Sequence, residues 1–232
     1  MILGKWKTVQ LTILVDNNPR PGLYSAWGLS IYLDLGDFKV LFDGGPDPRI
    51  LRHNASRLGI DLRSVDLVVL SHEHSDHYGG LLEVPELSGK PILLPPSGSG
   101  HLRESLESSG LVPVGSPGRG GLETIWFPDP IPEQSLLVRV DGGVLVTGCS
   151  HPGIVRIAEE AVNRAGRLKL LVGGFHLAWA GRELVEDILS RLLEMDIERI
   201  APIHCSGNYI RDLLSEHPER GLLLTVGSRV EI

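Results

Sequence analysis

Runs of apolar residues separated by polar or glycine-containing turns recur along the whole chain and predict its strands. The alternating, β-branched run at residues 8–15 predicts a strand, and the runs at 29–35 and 38–42 predict two strands around the turn Gly36-Asp37. The run at 65–70 is apolar without interruption, which is typical of a strand buried on both faces. Further strands are predicted at residues 144–147, 168–172, 199–203 and 221–226.

Between these strands, apolar residues at helical spacing predict amphipathic helices. The first helix begins after Asp47, a typical N-cap followed by Pro48, and ends before Gly59. The others are predicted at residues 154–165, 183–195 and 208–217. Strands alternate with helices in both halves of the chain, and no linker or repeat separates the halves. We therefore predict one domain over residues 1–232, of the α/β class, with two packed sheets and helices outside them.

Composition narrows the classes of protein that fit this pattern. With 42% hydrophobic residues among 232, the chain can bury a sizeable core. The formal net charge of −7 and the lack of a basic cluster argue against a nucleic-acid partner. No apolar run approaches the roughly 20 residues that span a bilayer, and two cysteines do not indicate a disulfide framework. Residues 1–7 lack the order of a signal peptide, so we expect no membrane partner and a cytoplasmic location.

Residues with metal-ligand chemistry are concentrated directly after the run at 65–70, in the segment Ser71-His72-Glu73-His74-Ser75-Asp76-His77. On an extended segment, side chains two apart point the same way, so His72 and His74 can hold one metal together. Asp76 and His77 then turn the other way and can start a second site. Imidazole and carboxylate groups suit zinc, iron or manganese. A solvated polar loop is the alternative, but strand ends ordinarily favour Gly, Asn and Ser rather than three histidines.

Other histidines repeat this placement, because each of them follows a predicted strand: His151, His176 and His204. A lone histidine at a strand end is more often structural than a ligand, but four strand ends that carry histidine indicate a shared role. In open α/β sheets, ligands converge where the strands end, so we expect these side chains at one edge of the sheets. The remaining three are expected at the surface: His53, His101 and His217.

The segment from His72 to His77 resembles the metal motif of the metallo-β-lactamase superfamily. Leu41-Phe42-Asp43-Gly44-Gly45 resembles that superfamily's upstream strand, whose aspartate supports the metal ligands without binding the metal itself. The chain also resembles one subgroup, which contains the archaeal synthase that joins a dihydropterin to ribofuranosylaminobenzene phosphate in methanopterin formation. This second resemblance extends from about residue 11 to 207 and is carried by the segments Leu14-Val15-Asp16-Asn17, Trp27-Gly28-Leu29-Ser30, Gly148-Cys149-Ser150-His151-Pro152-Gly153-Ile154, Gly173-Gly174-Phe175-His176-Leu177 and His204-Cys205-Ser206-Gly207.

The resemblance implies a four-layer αββα sandwich with one or two divalent transition metals at its edge, with zinc preferred over manganese or iron. It implies that one metal is held by His72, His74 and His151, and the other by Asp76, His77 and His204. Asp43 is then expected beside the ligands, orienting a histidine or a backbone amide, or else as a plain turn aspartate. Cys149 stands where many superfamily members carry a bridging aspartate. Two roles are open for it: an inert buried thiol or a thiolate ligand.

A metal with three protein ligands and one open position activates water for attack. The resemblance therefore implies hydrolysis of a small, anionic, phosphoester-like substrate. Asp76 is expected to act at the reacting centre as well as to bind metal. His176 is expected to face the substrate as a proton donor or hydrogen-bond partner, with a direct metal ligand and a structural cap as the alternatives.

Other functions compete with a hydrolase. The same ligands serve a transferase that couples a dihydropterin pyrophosphate to ribofuranosylaminobenzene phosphate, and the sequence does not separate the two reactions. A non-catalytic scaffold of this family is disfavoured by the intact segment from His72 to His77. A transfer-RNA nuclease is disfavoured by the acidic charge, and an exported β-lactamase by the expected lack of a signal peptide.

Overall fold

The computed structural model describes residues 6–232; residues 1–5, on which most of the expectation about a signal peptide rests, lie outside the described part. The described chain forms two compact units. The N-terminal unit comprises Thr8–Arg119 and Thr225–Ile232, and the C-terminal unit comprises Gly120–Leu224 with residues 6 and 7. The expectation that residues 1–232 form a single domain stays a prediction.

The N-terminal unit is built on a sheet of seven strands: β1 Gln10–Val15, β2 Ser30–Asp34, β3 Lys39–Phe42, β4 Leu67–Val69, β5 Pro91–Leu93, β6 Val112–Val114 and, near the end of the chain, β12 Arg229–Glu231. Their order in the sheet is β12-β1-β2-β3-β4-β5-β6. Pairing is antiparallel from β12 to β3 and parallel from β3 to β6. Because β3 and β4 are parallel neighbours, the segments that follow them leave the sheet at the same edge.

Three α-helices belong to this unit: α1 Pro48–Arg57, α2 Ser75–Tyr78 and α3 Gly100–Ser108. Helix α1 begins where the sequence predicts, because the Asp47 carboxylate accepts a hydrogen bond from the backbone N–H of Arg49 at 2.8 Å. Pro48, which has no N–H, occupies the first helical position. The apolar faces of α1 and α3 pack with the sheet in a core that includes Leu14, Leu41, Leu51, Ala55, Val68, Ile92, Leu102 and Leu106.

The C-terminal unit is built on a sheet of five strands: β7 Leu122–Phe127, β8 Glu133–Val140, β9 Gly142–Thr147, β10 Leu168–Gly174 and β11 Ile200–Ile203. Their order is β11-β10-β9-β8-β7, antiparallel from β7 to β9 and parallel from β9 to β11. Its helices are α4 Ile154–Ala165, α5 Arg182–Glu194 and α6 Asn208–Ser215. They contribute to a core that includes Ile125, Leu137, Leu145, Ile157, Ala161, Leu171, Leu189, Leu192, Ile210 and Leu214.

The predicted α/β fold class, with two sheets and helices, is confirmed. One predicted element is wrong. Residues 221–226 form no strand; Gly221 makes a single bridge to Ile200. The chain then turns at Thr225, whose carbonyl accepts a hydrogen bond from the N–H of Ser228, and the last strand is β12. The apolar run at 221–226 therefore has the composition of a strand. It forms none, because only its first residue pairs with a neighbouring strand.

Within each unit, the parallel strands bring the predicted site residues to the same edge of the sheet. In the N-terminal unit, β3 leads into Asp43 and β4 leads into Ser71 and His72. In the C-terminal unit, β9, β10 and β11 are neighbours, and the segments that begin at residues 148, 175 and 204 follow them.

Within residues 6–232, none of the helices has the length and the apolar character needed to cross a membrane.

Candidate metal centre

Asp43 follows β3 with its side chain fully buried and organises the histidine segment of the N-terminal unit. Its Oδ1 accepts a hydrogen bond from the backbone N–H of Ser71 at 2.7 Å. Its Oδ2 accepts from the Ser71 hydroxyl and from Nδ1 of His77, both at 2.7 Å. These bonds connect the end of β3 to the segments after β4, which is the geometry that an orienting role for Asp43 requires.

The same hydrogen bonds determine which ring nitrogens carry a lone pair. A carboxylate only accepts hydrogen bonds, so Nδ1 of His77 carries a hydrogen. The Ser71 hydroxyl gives its hydrogen to Asp43, so Nδ1 of His72, 2.8 Å from that hydroxyl oxygen, donates to it. When neutral, both imidazoles therefore present the lone pair at Nε2, the arrangement in which histidine binds a metal.

The donor atoms of this segment have the spacing of metal ligands. Nε2 of His72 lies 3.1 Å from Nδ1 of His74, and a carboxylate oxygen of Asp76 lies 3.8 Å from Nε2 of His77. Two nitrogens bound to one tetrahedral zinc at about 2.0–2.1 Å are about 3.3 Å apart. Imidazole and carboxylate are also the donors that zinc, manganese and iron accept. The residues of the N-terminal unit therefore fit a divalent transition metal.

Left-handed backbone conformations concentrate at the candidate site. Five non-glycine residues in the described part of the chain have a φ between 52° and 62°. Four of them belong to the candidate site or its turns: Asp43, Ser150, His176 and His204. Such a conformation costs roughly 1–3 kcal/mol per residue and persists only where the surroundings impose it. These four residues therefore adopt an unfavourable backbone conformation that directs their side chains, as is common at functional sites.

Glu133, at the start of β8, is the counterpart of Asp43 in the C-terminal unit. Its carboxylate is 1% exposed. Oε1 accepts hydrogen bonds from the backbone N–H groups of Cys149 and Ser150, both at 2.8 Å. Oε2 accepts from the backbone N–H of His151 at 2.9 Å and from its Nδ1 at 2.7 Å. One carboxylate therefore holds the whole turn after β9. Because it accepts a hydrogen bond from Nδ1–H of His151, the lone pair of the neutral imidazole lies at Nε2.

Glu133 is not among the site residues predicted from the sequence. The antiparallel register in which Leu136 pairs with Val146 brings the start of β8 beside the turn after β9, where Glu133 accepts the hydrogen bond from the N–H of Cys149. The sequence shows only an acidic residue at the start of the segment Glu133–Val140, which also contains Gln134, Ser135 and Arg139. The role of Glu133 can be recognised only when the register of β8 against β9 is known.

The remaining predicted residues of the C-terminal unit form a cluster of sulfur and imidazole donors. Donor atoms of Cys149, His151 and His176 all lie within 4.8 Å of one another, and so do those of Cys149, His204 and Cys205. The side chain of His176 is exposed, with its ring 4.6 Å from the His151 ring between centroids. The cluster thus brings together every histidine that was predicted for this half of the site.

Hydrogen bonds within this cluster shift the pKa values of Cys205 and His176. The hydrogen bond with the Cys149 thiol, followed by that with His176, holds the pKa of the Cys205 thiol well below its usual value, against the effect of burial. The pKa of His176 is raised, chiefly by its hydrogen bond with Cys205.

Gly173 and Gly174 lie at the end of β10, where a Cβ would meet the end of β9 and the residues that follow it. A Cβ on Gly173 would lie 2.2 Å from the carbonyl oxygen of Thr147, and one on Gly174 would lie 2.4 Å from that of Gly148 and 2.7 Å from Sγ of Cys205. The two glycines therefore allow the ends of β9 and β10 to approach closely. This contact directs the segment that carries His176 towards the turn that carries His151.

The three histidines that were expected at the surface lie outside both clusters. His101 is exposed in α3. His53 is half-buried and stacks on Tyr24 with 4.1 Å between ring centroids, and Nδ1 of His217 lies 3.8 Å from Glu219.

Replacing Asp43 by asparagine is expected to weaken metal binding by roughly 10–100-fold, the usual range for a group that orients a ligand. An amide nitrogen in place of Oδ1 faces the backbone N–H of Ser71, and one in place of Oδ2 faces the Ser71 hydroxyl and Nδ1–H of His77, so at least one hydrogen bond is lost. Competition with a chromogenic chelator measures the change. The matched control is Asp37→Asn, an exposed aspartate of the same unit. Equal affinities of the two variants would make Asp43 a plain turn residue.

Comparison with known proteins decides the family. The model of the metallo-beta-lactamase superfamily matches residues 28–158, more than half of the chain. The chain belongs to the metallo-β-lactamase superfamily. The matched residues, 28–158, include Asp43, the segment from His72 to His77, Glu133 and His151.

Individual relatives extend the match over nearly the full length. The crystal structure of Tm1679, a metal-dependent hydrolase of the beta-lactamase superfamily, has 28% sequence identity and a TM-score of 0.79, covering 97% of this chain and 99% of that one. From Methanocaldococcus jannaschii, the 7,8-dihydropterin-6-methyl-4-(beta-D-ribofuranosyl)-aminobenzene-5'-phosphate synthase is 25% identical, over 93% of this chain and 94% of its own. The uncharacterized protein MJ0448 of the same organism is 27% identical, over 85% and 90%. The resemblance to the superfamily and to the group that contains the synthase is confirmed.

Proposed function

We propose that the protein is a metal-dependent hydrolase of a small, anionic, phosphoester-like substrate. Membership of the superfamily and the similarity to the metal-dependent hydrolase Tm1679 support this function. The observation that carries it is the repeated pairing of a buried carboxylate with a histidine, Asp43 with His77 and Glu133 with His151. In both pairs the carboxylate accepts a hydrogen bond from Nδ1–H, so the lone pair that can bind a metal lies at Nε2.

The proposed metal ligands are those expected from the sequence: His72, His74 and His151 for one ion, and Asp76, His77 and His204 for the other. One or two divalent transition metals would be bound, with zinc preferred over manganese or iron. When bound, the metal lowers the pKa of water to roughly 7 and stabilises negative charge on a phosphoryl oxygen.

The protein's own groups supply the proton transfers. Asp76 is partly exposed, with a carboxylate oxygen 3.8 Å from Nε2 of His77, and is proposed to accept the proton of the attacking water. His176 presents an exposed imidazole beside His151 and is proposed to donate a proton to the leaving oxygen. Its left-handed backbone, with φ at 57°, directs that imidazole away from the buried core.

Metal content and substrate class test this function together. Protein purified without chelators should contain about one to two equivalents of transition metal per chain. It should hydrolyse members of a panel of phosphomonoesters, phosphodiesters and pyrophosphates, and chelation should abolish the activity until metal is restored. A folded protein that binds no zinc, manganese or iron would exclude a metalloenzyme. Metal without activity on any of these three classes of compound would exclude the proposed substrate class.

A second candidate function is transfer of a dihydropterin to an arylamine. It is favoured by the similarity to the synthase from M. jannaschii, which extends over 93% of this chain. A metal held by the proposed ligands would then bind pyrophosphate oxygens and stabilise the leaving group. An arylamine in place of water would be the nucleophile.

We expect hydrolysis to exceed coupling when the metal-loaded protein is given a dihydropterin pyrophosphate and ribofuranosylaminobenzene phosphate. Water is the default nucleophile beside an activating metal. Chromatography of the products, with pyrophosphate release measured in the presence and absence of the arylamine, separates the two reactions. A coupled product that forms faster than simple hydrolysis would reverse the assignment in favour of the transferase.

A further inference from the structure

Both cysteines of the chain lie in the sulfur–imidazole cluster of the C-terminal unit, although 56 residues separate them. Cys149 follows β9 and Cys205 follows β11, and both side chains are buried. The surroundings of Cys149 differ from those of an inert core thiol. Its Sγ lies within 4.8 Å of donor atoms of three histidines, His151, His176 and His204.

The donor atoms are near enough to one another to share one ion. Zinc binds thiolate sulfur at about 2.3 Å and imidazole nitrogen at about 2.0–2.1 Å, so a sulfur and a nitrogen on one tetrahedral ion are about 3.6 Å apart. Within each group the donor atoms lie within 4.8 Å of one another. Cys149 is the donor common to both groups, so its sulfur is near His151 as well as near His204.

The backbone holds Cys149 in this position. Glu133 accepts hydrogen bonds from the N–H groups of Cys149 and Ser150, and the Ser150 hydroxyl donates to the carbonyl oxygen of Gly174 at 2.6 Å. Ser150 itself has a left-handed backbone, with φ at 62°. A turn constrained in this way directs the Cys149 side chain towards the histidines. A thiol that merely filled space would not require it.

Cys205 differs from Cys149 in what its sulfur contacts. Its Sγ lies 3.7 Å from the carbonyl oxygen of Cys149, to which the thiol donates a hydrogen bond. Its sulfur also lies against Gly174, where a Cβ would approach it to 2.7 Å. These contacts give Cys205 a packing role next to the turn.

We propose that Cys149 is a metal ligand that binds as a thiolate, and that Cys205 does not bind the metal. The proposal rests on the proposed metal-dependent function and adds a sulfur donor to its nitrogen and oxygen ligands. Binding would release the proton of Cys149 to solvent. A thiolate would bias the site towards zinc and away from manganese, and it would make the bound metal sensitive to peroxide, which oxidises thiolates.

Cobalt(II) substitution under anaerobic conditions tests the proposal without reference to catalysis. Bound cobalt gives visible absorption whatever its ligands are, and a thiolate ligand adds a charge-transfer band in the near ultraviolet. We expect that band in the native protein and in Cys205→Ser. We expect its loss in Cys149→Ser. Cys149→Asp, which retains a donor group, should keep the visible bands without the near-ultraviolet one, and it serves if Cys149→Ser folds poorly.

The outcomes separate this proposal from the function on which it rests. Visible cobalt bands without a thiolate band in the native protein would overturn the thiolate ligand and leave the metalloenzyme in place. Loss of the band in Cys205→Ser instead of Cys149→Ser would transfer the role to the other cysteine and overturn the proposal. A native protein that binds neither cobalt nor zinc would overturn the metal-dependent function itself.

Discussion

Turnover is expected to fall by roughly 10²–10⁴-fold in His176→Ala, the usual effect of losing general acid–base assistance, while the metal content stays unchanged. His176 is exposed and lies beside His151, and the six proposed ligands already form two sets of three. With Cys149 as a further donor, an imidazole added to the metal by His176 would fill the position that the substrate or water needs. The side chain is therefore expected to act on the substrate. Steady-state kinetics together with elemental analysis of the same preparation measure both quantities.

The matched control for this substitution is His101→Ala, an exposed histidine of the N-terminal unit. It should retain native turnover and native metal content. If His176→Ala loses an equivalent of metal, His176 is a ligand and the division into two sets of three is wrong. If it retains both metal and rate, the residue only supports the backbone.

Substitution of Glu133 by glutamine is expected to weaken metal binding by roughly 10–100-fold and also to destabilise the fold. The carboxylate is buried and accepts four hydrogen bonds, from the backbone N–H groups of Cys149, Ser150 and His151 and from Nδ1 of His151. Glutamine offers one oxygen, so two of the four donors face an NH₂ group. Each unsatisfied buried donor costs about 1–3 kcal/mol, so we expect a loss of about 2 kcal/mol or more in the free energy of unfolding.

Urea denaturation of the metal-free protein isolates the effect on stability, and a chelator competition assay then measures metal affinity. Glu160→Gln is the matched control in the same unit, because Glu160 makes an exposed i,i+4 ion pair with Arg164. That substitution should cost no more than about 0.5 kcal/mol. A Glu133→Gln protein as stable as this control, with native metal affinity, would contradict the role assigned to Glu133.

The two buried carboxylates differ in how far the sequence reveals them. Asp43 follows a predicted strand and precedes Gly44-Gly45, a local pattern that can be compared with a known motif. Glu133 has no such pattern around it. Its contacts depend on the antiparallel pairing of β8 with β9, and that pairing is a relation between two segments of the chain.

The sequence by itself determined the α/β class, the capped start of α1, the bounds of α4 and the set of histidines that follow strands. Each of these depends on neighbours a few residues away, through periodicity, capping or the end of an apolar run. The family membership also rests on a local segment, from His72 to His77, because metal ligands on one segment must keep fixed spacing.

Only the tertiary structure decided how the predicted donors are held. Hydrogen bonds from Ser71 and His77 to Asp43, and those from the turn after β9 to Glu133, assign the ring hydrogen of His72, His77 and His151. The predicted strand at 221–226 is not formed, and the last strand of the chain is β12. A strand needs a partner strand as well as an apolar composition. The closeness of Cys149 to Cys205 arises in the same way. It exists because β9, β10 and β11 lie side by side, a contact between residues 56 positions apart that no local pattern encodes.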